Sequence, residues 1–124
     1  MPLIDFYKDT RNKFPQFVQG ADNEHIKYWG EVNSEYAYSW FESLAKALNI
    51  EMAKMTEQEE IEKLYIHMEY WYKTADEEIK DCIDVSFVEN LFWELPTNKI
   101  EAYWNILPQI FKELYVNFHQ RKPL

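Results

Sequence analysis

The stretch that decides the fold lies at residues 56–95 and reads TEQEEIEKLYIHMEYWYKTADEEIKDCIDVSFVENLFWEL. It contains the pattern Thr-x-x-Glu twice, at residues 56–59 and 74–77. In this pattern, the capping box, the hydroxyl and the carboxylate each accept a hydrogen bond from a backbone N–H that the first helical turn leaves unpaired. After each box, apolar residues recur at spacings of three and four, as on a buried helix face. The stretch therefore predicts two consecutive helices, of which the second runs to Pro96 with a bend near Asp84.

Helical spacing continues on both sides of this stretch. A first helix starts at Leu3 and breaks at Phe14-Pro15, because the residue before a proline avoids the helical region, and Gly20 is interpreted as the next stop. Further helices are predicted over residues 34–49, capped by Asn33 or Ser34, over 97–107 and over 108–118. Because strand alternation and hairpin dipeptides are absent from the sequence, we predict an all-α fold, with residues 1–124 forming one antiparallel bundle of five or six helices.

Composition excludes several classes of protein. The mean hydropathy is -0.56, and no run of about 18 apolar residues could cross a bilayer, so no membrane association is expected. The start of the chain has no basic segment followed by an apolar run, which predicts a cytoplasmic protein. Cys82 is the single cysteine, so it is expected to be a small buried apolar residue rather than part of a disulfide or a thiolate cluster.

The net charge of -9 is confined to one part of the chain. Residues 57–94 contain twelve acidic and three basic residues, whereas the remainder contains ten of each. The longest basic cluster is Arg121-Lys122, so direct nucleic-acid binding is not expected, and a basic protein is the more compatible partner. The alternative is that these carboxylates only stabilise helix N-termini and form pairs with lysines one turn away.

Aromatic residues make up 18% of the chain, and most of them fall on the predicted core faces. Tyr38, Tyr70 and Trp93 do not. Tyrosine and tryptophan combine a large contact area with few rotatable bonds, which favours them as anchors at protein interfaces. We therefore predict a partner-binding surface composed of Tyr70, Trp93, Asp76, Glu77, Glu78 and Asp81. The alternative for Tyr70, with Ile66, is a central helix that is buried on two sides.

No motif for catalysis, metal binding or cofactor binding occurs in the sequence, so no catalytic residue, metal or cofactor is predicted. The nearest approach to a metal motif is Asp22-x-x-His25, and His67 and His119 are interpreted as structural. A rival hypothesis is a small-ligand binder or enzyme in which His67, Glu89 and Tyr70 line an aromatic pocket between helices. A third is a homodimer whose interface uses the surplus aromatic residues.

Two segments resemble a known family. Residues 83–91 read IDVSFVENL, and residues 107–115 read LPQIFKELY. Over residues 74–118 the chain is similar to a family of small uncharacterised bacterial helical domains, whose core helix has the pattern Val-x-x-Phe-Val/Leu-Glu-Asn-Leu. Pro108 stands where many members carry glycine. The resemblance implies an all-helical fold and no established activity.

In size and acidity the chain is also similar to the immunity partners of bacterial toxins. Our leading hypothesis is a non-enzymatic protein-binding module, of which an immunity-type inhibitor of a basic nuclease would be one form.

Overall fold

A computed structural model describes residues 2–74 and 77–124. Over these residues the chain forms seven α-helices and no strand, which confirms the all-α prediction with one or two helices more than expected. None of the described helices is both long and apolar enough to cross a membrane. The helices are α1 (Pro2–Lys13), α2 (Pro15–Trp29), α3 (Ala37–Ala53), α4 (Gln58–Thr74), α5 (Glu77–Cys82), α6 (Thr97–Asn105) and α7 (Gln109–His119).

Helix α2 differs from the sequence-based expectation. Gly20 does not end a helix but lies inside α2, where a Cβ atom would stand 3.3 Å from the Cβ of Ala47 in α3. The missing side chain therefore allows these two helices to approach closely. The helix ends instead at Gly30, whose φ of 94° lies in a region that side chains rarely adopt.

The helix starts are only partly as predicted. Asn33 accepts a hydrogen bond from the backbone N–H of Glu35 at 2.9 Å and caps the 3₁₀ turn Ser34–Tyr36 that leads into α3. The capping box at residues 56–59 is wrong, because the Thr56 hydroxyl bonds to Glu51 behind it, at 2.8 Å from the carboxylate. The box at residues 74–77 includes Ala75 and Asp76, which lie outside the described residues.

The predicted bend near Asp84 is a change of helix type. After α5 the chain forms a π-helical turn, Ile83–Phe87, and then a 3₁₀ turn, Val88–Asn90. The N–H of Val88 reaches the carbonyl of Ile83, five residues back, which is the π-helical spacing. The prediction that this helix continues to Pro96 is wrong, since residues 91–94 form a turn.

One continuous apolar core joins the helices. At one end Phe6 of α1 stacks on Phe41 of α3, with ring centroids 4.5 Å apart and nearly parallel planes. At the other end Phe92, Trp104 and Tyr115 meet edge to face. Cys82 is buried as a free thiol, as expected. Because Phe92 belongs to the core, the core supports the turn at residues 91–94, beside which the candidate site lies.

Candidate functional site

The turn at residues 91–94 is held in an unusual conformation by Asn49 of α3. The Asn49 side-chain amide donates to the carbonyl of Asn90 at 2.9 Å, and its carbonyl accepts from the N–H of Phe92 at 2.8 Å. Phe92 and Glu94 both have left-handed backbone conformations, with φ of 68° and 57°. Such conformations cost free energy in residues other than glycine, so the surrounding contacts must impose them. With Phe92 buried, the turn leaves Trp93 64% exposed.

Trp93 borders a surface groove of about 320 Å³ that lies between α3, the 3₁₀ turn Val88–Asn90 and α7. Phe118, in the last turn of α7, lines the groove as well and is 56% exposed. Its placement in the predicted core face is therefore wrong. His119 connects α7 to the 3₁₀ turn Val88–Asn90. Its ring stacks on that of Tyr115 with centroids 4.1 Å apart, and its Nε2 lies 3.0 Å from the carbonyl oxygen of Glu89. The remaining residues of the groove are Glu42, Lys46 and Asn90.

The groove holds one ion pair and one carboxylate that no described cation pairs with. The Lys46 ammonium lies 3.2 Å from the Glu42 carboxylate and 4.6 Å from the centre of the Tyr28 ring. Glu89 forms no ion pair with any cation in residues 2–74 and 77–124. Partial burial raises the pKa of Glu89, and the charges of Asp84 and Asp81 raise it further. Glu89 is thus the groove residue of a group of three interacting carboxylates that also includes Asp81 and Asp84.

The predicted acidic surface is partly an internal contact. The Tyr38 hydroxyl donates to the Asp81 carboxylate at 2.9 Å, so Tyr38 connects α3 to α5 rather than marking an interface. Burial raises the pKa of Tyr38, and its hydrogen bond to Asp81 raises it further. Glu77 and Glu78 are exposed at the start of α5, where Glu77 lies 4.0 Å from Lys80. Asp76 lies outside the described residues.

Tyr70, the other predicted anchor, lies elsewhere. Its side chain is 64% exposed, and Ile66 one turn before it is 58% exposed, so the alternative of a helix buried on two sides is wrong. Tyr70 borders a shallow surface between α4 and α1 that also contains Lys8 and Lys13. The residues that adjoin Tyr70 therefore differ from those that adjoin Trp93.

His67 is buried between α1 and α4. The Thr10 hydroxyl donates to the carbonyl of Phe6 at 2.8 Å, so its oxygen accepts from Nε2 of His67 at 2.9 Å. Burial lowers the pKa of His67 to about 4, although the Asp9 carboxylate, 4.0 Å from Nδ1, opposes the shift. His67 therefore belongs to the core. The structure does not bring together His67, Tyr70 and Glu89, the three residues of the alternative ligand pocket.

Asp22 and His25 are also engaged separately. The Asp22 carboxylate accepts from Arg11 at 2.6 Å and from the indole N–H of Trp40 at 2.7 Å. His25 is fully buried, with Nε2 lying 2.9 Å from the carbonyl of Glu31. The two side chains of the Asp-x-x-His sequence thus have different structural partners.

Sequence reasoning missed three residues that form the site. The apolar spacing predicts a helix that ends at Asn49, whereas Asn49 lies inside α3 and holds a turn 41 to 43 residues away. Tyr28 lies in residues 21–33, for which the sequence predicted no helix. Phe118 continues the apolar spacing of α7 beyond the point where the core ends. An asparagine among buried helix positions was the one available signal, because a buried amide requires hydrogen-bond partners.

Comparison with known proteins assigns the chain to a family. The family model that matches residues 7–121 is described as a domain of unknown function (DUF7674). No curated protein and no solved structure matches the chain. The expected resemblance to an uncharacterised family of small domains is confirmed, and the match extends well beyond residues 74–118. Because it covers nearly the whole sequence, the chain belongs to the DUF7674 family.

Proposed function

We propose that this domain is a non-enzymatic protein-binding module of the cytosol, which recognises a basic protein through the surface around Trp93. The observation that carries the proposal is the turn that Asn49 holds, with its left-handed backbone and its exposed indole. Strained backbone and an exposed tryptophan both reduce folding stability, and they recur where a side chain must be presented to a partner.

The charge of the adjoining residues favours a basic partner. Asp81, Asp84 and Glu89 lead from α5 to the turn, and none of them pairs with a cation among the described residues. A negative surface of this kind accelerates the encounter with a positive protein. A second copy of the chain would present the same carboxylates, so like charges oppose self-association here. An immunity-type inhibitor of a basic nuclease is one function of this class.

Two observations support Trp93 over the other candidates. Tyr70 borders a surface that holds Lys8 and Lys13 together with Asp5 and Asp9, and Lys13 lies 3.5 Å from the Asp9 carboxylate, so this surface has no excess negative charge to attract a basic partner. The residues that an enzyme site would have used are dispersed, with His67 in the core and Glu89 at the groove. The surface around Trp93 combines an exposed aromatic anchor with Asp84 and Glu89, which form no ion pair in the described part of the chain, and this combination is typical of protein recognition.

The test measures association rates for a partner captured on the immobilised domain and then purified. Glu77→Lys with Glu78→Lys reverses two exposed charges, and it leaves Asp81 free to accept the Tyr38 hydrogen bond. We expect association to slow about tenfold at low ionic strength and to approach the wild-type rate at high ionic strength, because salt screens exposed charges.

The matched control reverses two exposed acidic residues outside the acidic segment, Glu31→Lys with Glu101→Lys. This variant has the same net charge as the first but should slow association less. Equal slowing by both variants would show that only total charge matters. A wild-type association rate that does not depend on salt would contradict electrostatic recognition by residues 77–89.

A further inference from the structure

The groove beside Trp93 contains the two kinds of group that bind a cationic side chain. Trp93 and Phe118 supply exposed aromatic rings, and Glu89 supplies a carboxylate. Aromatic faces attract cations at distances up to about 6 Å from the ring centre, and tryptophan does so most strongly. A carboxylate beside such a ring adds a charged hydrogen-bond acceptor.

The charges around Glu89 leave it available to an incoming cation. Burial raises its pKa, and the neighbouring Asp84 and Asp81 raise it further, so the groups that act on this carboxylate are negative. The one lysine in the groove, Lys46, is engaged with Glu42 and with the Tyr28 ring. A cation that entered the groove would therefore be attracted by the Glu89 carboxylate, which no lysine of the groove already occupies.

We propose that this groove receives an arginine side chain of the protein partner, an inference that rests on the protein-binding function proposed above. A guanidinium is planar, so it can stack on an indole while its N–H groups donate to a carboxylate. It is also less strongly hydrated than the ammonium of lysine, which lowers the cost of leaving water. The volume of about 320 Å³ is sufficient for one guanidinium side chain and lies at the lower end of the range of small-ligand pockets.

The test is a titration of the full ¹⁵N-labelled chain with the peptide acetyl-Gly-Arg-Gly-amide, followed by NMR. The matched peptide replaces arginine with citrulline, which has the same shape and no charge. We expect the arginine peptide to shift the Trp93 indole N–H signal, assigned with Trp93→Phe, and the His119 amide signal, with saturation in the millimolar range. The citrulline peptide should bind at least about tenfold more weakly, since charge-assisted hydrogen bonds are the stronger ones.

Two variants locate the interaction. Glu89→Gln removes the charge but keeps the backbone carbonyl that His119 contacts, and it should weaken arginine binding about tenfold. Glu101→Gln makes the same change at an exposed position of α6 and should leave binding unchanged. An identical circular dichroism spectrum for both variants will show that the fold is retained.

Three results would overturn the proposal: equal binding of the citrulline peptide, shifts confined to the acidic start of α4, and no saturable shift of the Trp93 signal. None of them would refute protein binding as such, because the association rates of the charge-reversal variants decide that function independently. Conversely, arginine binding in the groove combined with salt-independent partner association would retain the groove and reject electrostatic recognition by residues 77–89.

Discussion

Replacement of Asn49 by alanine should release the turn that presents Trp93. The substitution removes both hydrogen bonds, at 2.9 Å to the carbonyl of Asn90 and at 2.8 Å from the N–H of Phe92. Leaving a buried backbone group without a partner costs about 1–3 kcal/mol. Alanine recovers roughly 0.5 kcal/mol through its higher helix propensity. The Phe92 N–H is buried and the Asn90 carbonyl is part-buried, so the second bond adds about 0.5–1.5 kcal/mol to the first. We therefore expect the free energy of unfolding to fall by about 1–4 kcal/mol, and Tm to fall by on the order of 10 °C.

Chemical denaturation and amide hydrogen exchange test this prediction together. In the wild type the amide of Phe92 should exchange slowly, because its hydrogen bond is buried, and in Asn49→Ala it should exchange much faster than amides in the middle of α4. Asn12→Ala makes the same chemical change at an exposed position of α1 and should alter stability by less than about 0.5 kcal/mol. A loss in Asn49→Ala no larger than in Asn12→Ala, or unchanged protection of Phe92, would refute the role of Asn49.

Three further predictions concern stability. Burial lowers the pKa of His67 to about 4, whereas an unfolded histidine titrates near about 6.5, so the stability from its neutral form is complete above that pH and lost toward pH 4. From above about pH 6.5 down to about pH 4, the free energy of unfolding of the wild type should fall by about 3 kcal/mol more than that of His67→Gln. Denaturation at several pH values measures this, and an equal pH dependence of the two proteins would contradict it. Tyr65→Phe removes a buried hydroxyl that has no hydrogen-bond partner among the described residues, so it should be neutral or stabilising by up to about 1 kcal/mol. Tyr103→Phe loses the 2.7 Å hydrogen bond to the carbonyl of Thr56 and should destabilise by about that amount. The reverse order of denaturation midpoints would count against this prediction. Gly30→Ala should cost about 1–3 kcal/mol, because φ is 94° there, and an unchanged Tm would refute this.

Helix type and approximate position followed from the sequence because apolar spacing is a local signal. Gly20 and Gly30 show where this signal ends. Both glycines are compatible with a helix stop, and only tertiary structure distinguishes them, since Gly20 packs against Ala47 and Gly30 adopts a positive φ. Likewise, the Thr-x-x-Glu pattern at residues 56–59 was misleading because the Thr56 hydroxyl found a partner in the preceding segment.

The candidate site was predictable only in part. Trp93 was identified because it falls outside the apolar face of its helix, and the structure places it in solvent. The turn that carries it depends on a hydrogen bond to Asn49, 43 residues earlier in sequence, which no local pattern encodes. Phe118 has correct helical spacing but lies beyond the end of the core. Spacing predicts the direction of a side chain, whereas the extent of the neighbouring element decides its burial.

The binding function depends on Trp93 as an anchor, and dissociation rates measure this most directly. With the purified partner, Trp93→Ala should increase the dissociation rate at least about 30-fold, the effect of losing about 2 kcal/mol at an interface centre, with little change in association. Trp29→Ala removes another half-exposed tryptophan, at the end of α2, and should leave dissociation nearly unchanged. A dissociation rate for Trp93→Ala equal to that of the wild type, or of Trp29→Ala, would contradict the proposed binding site.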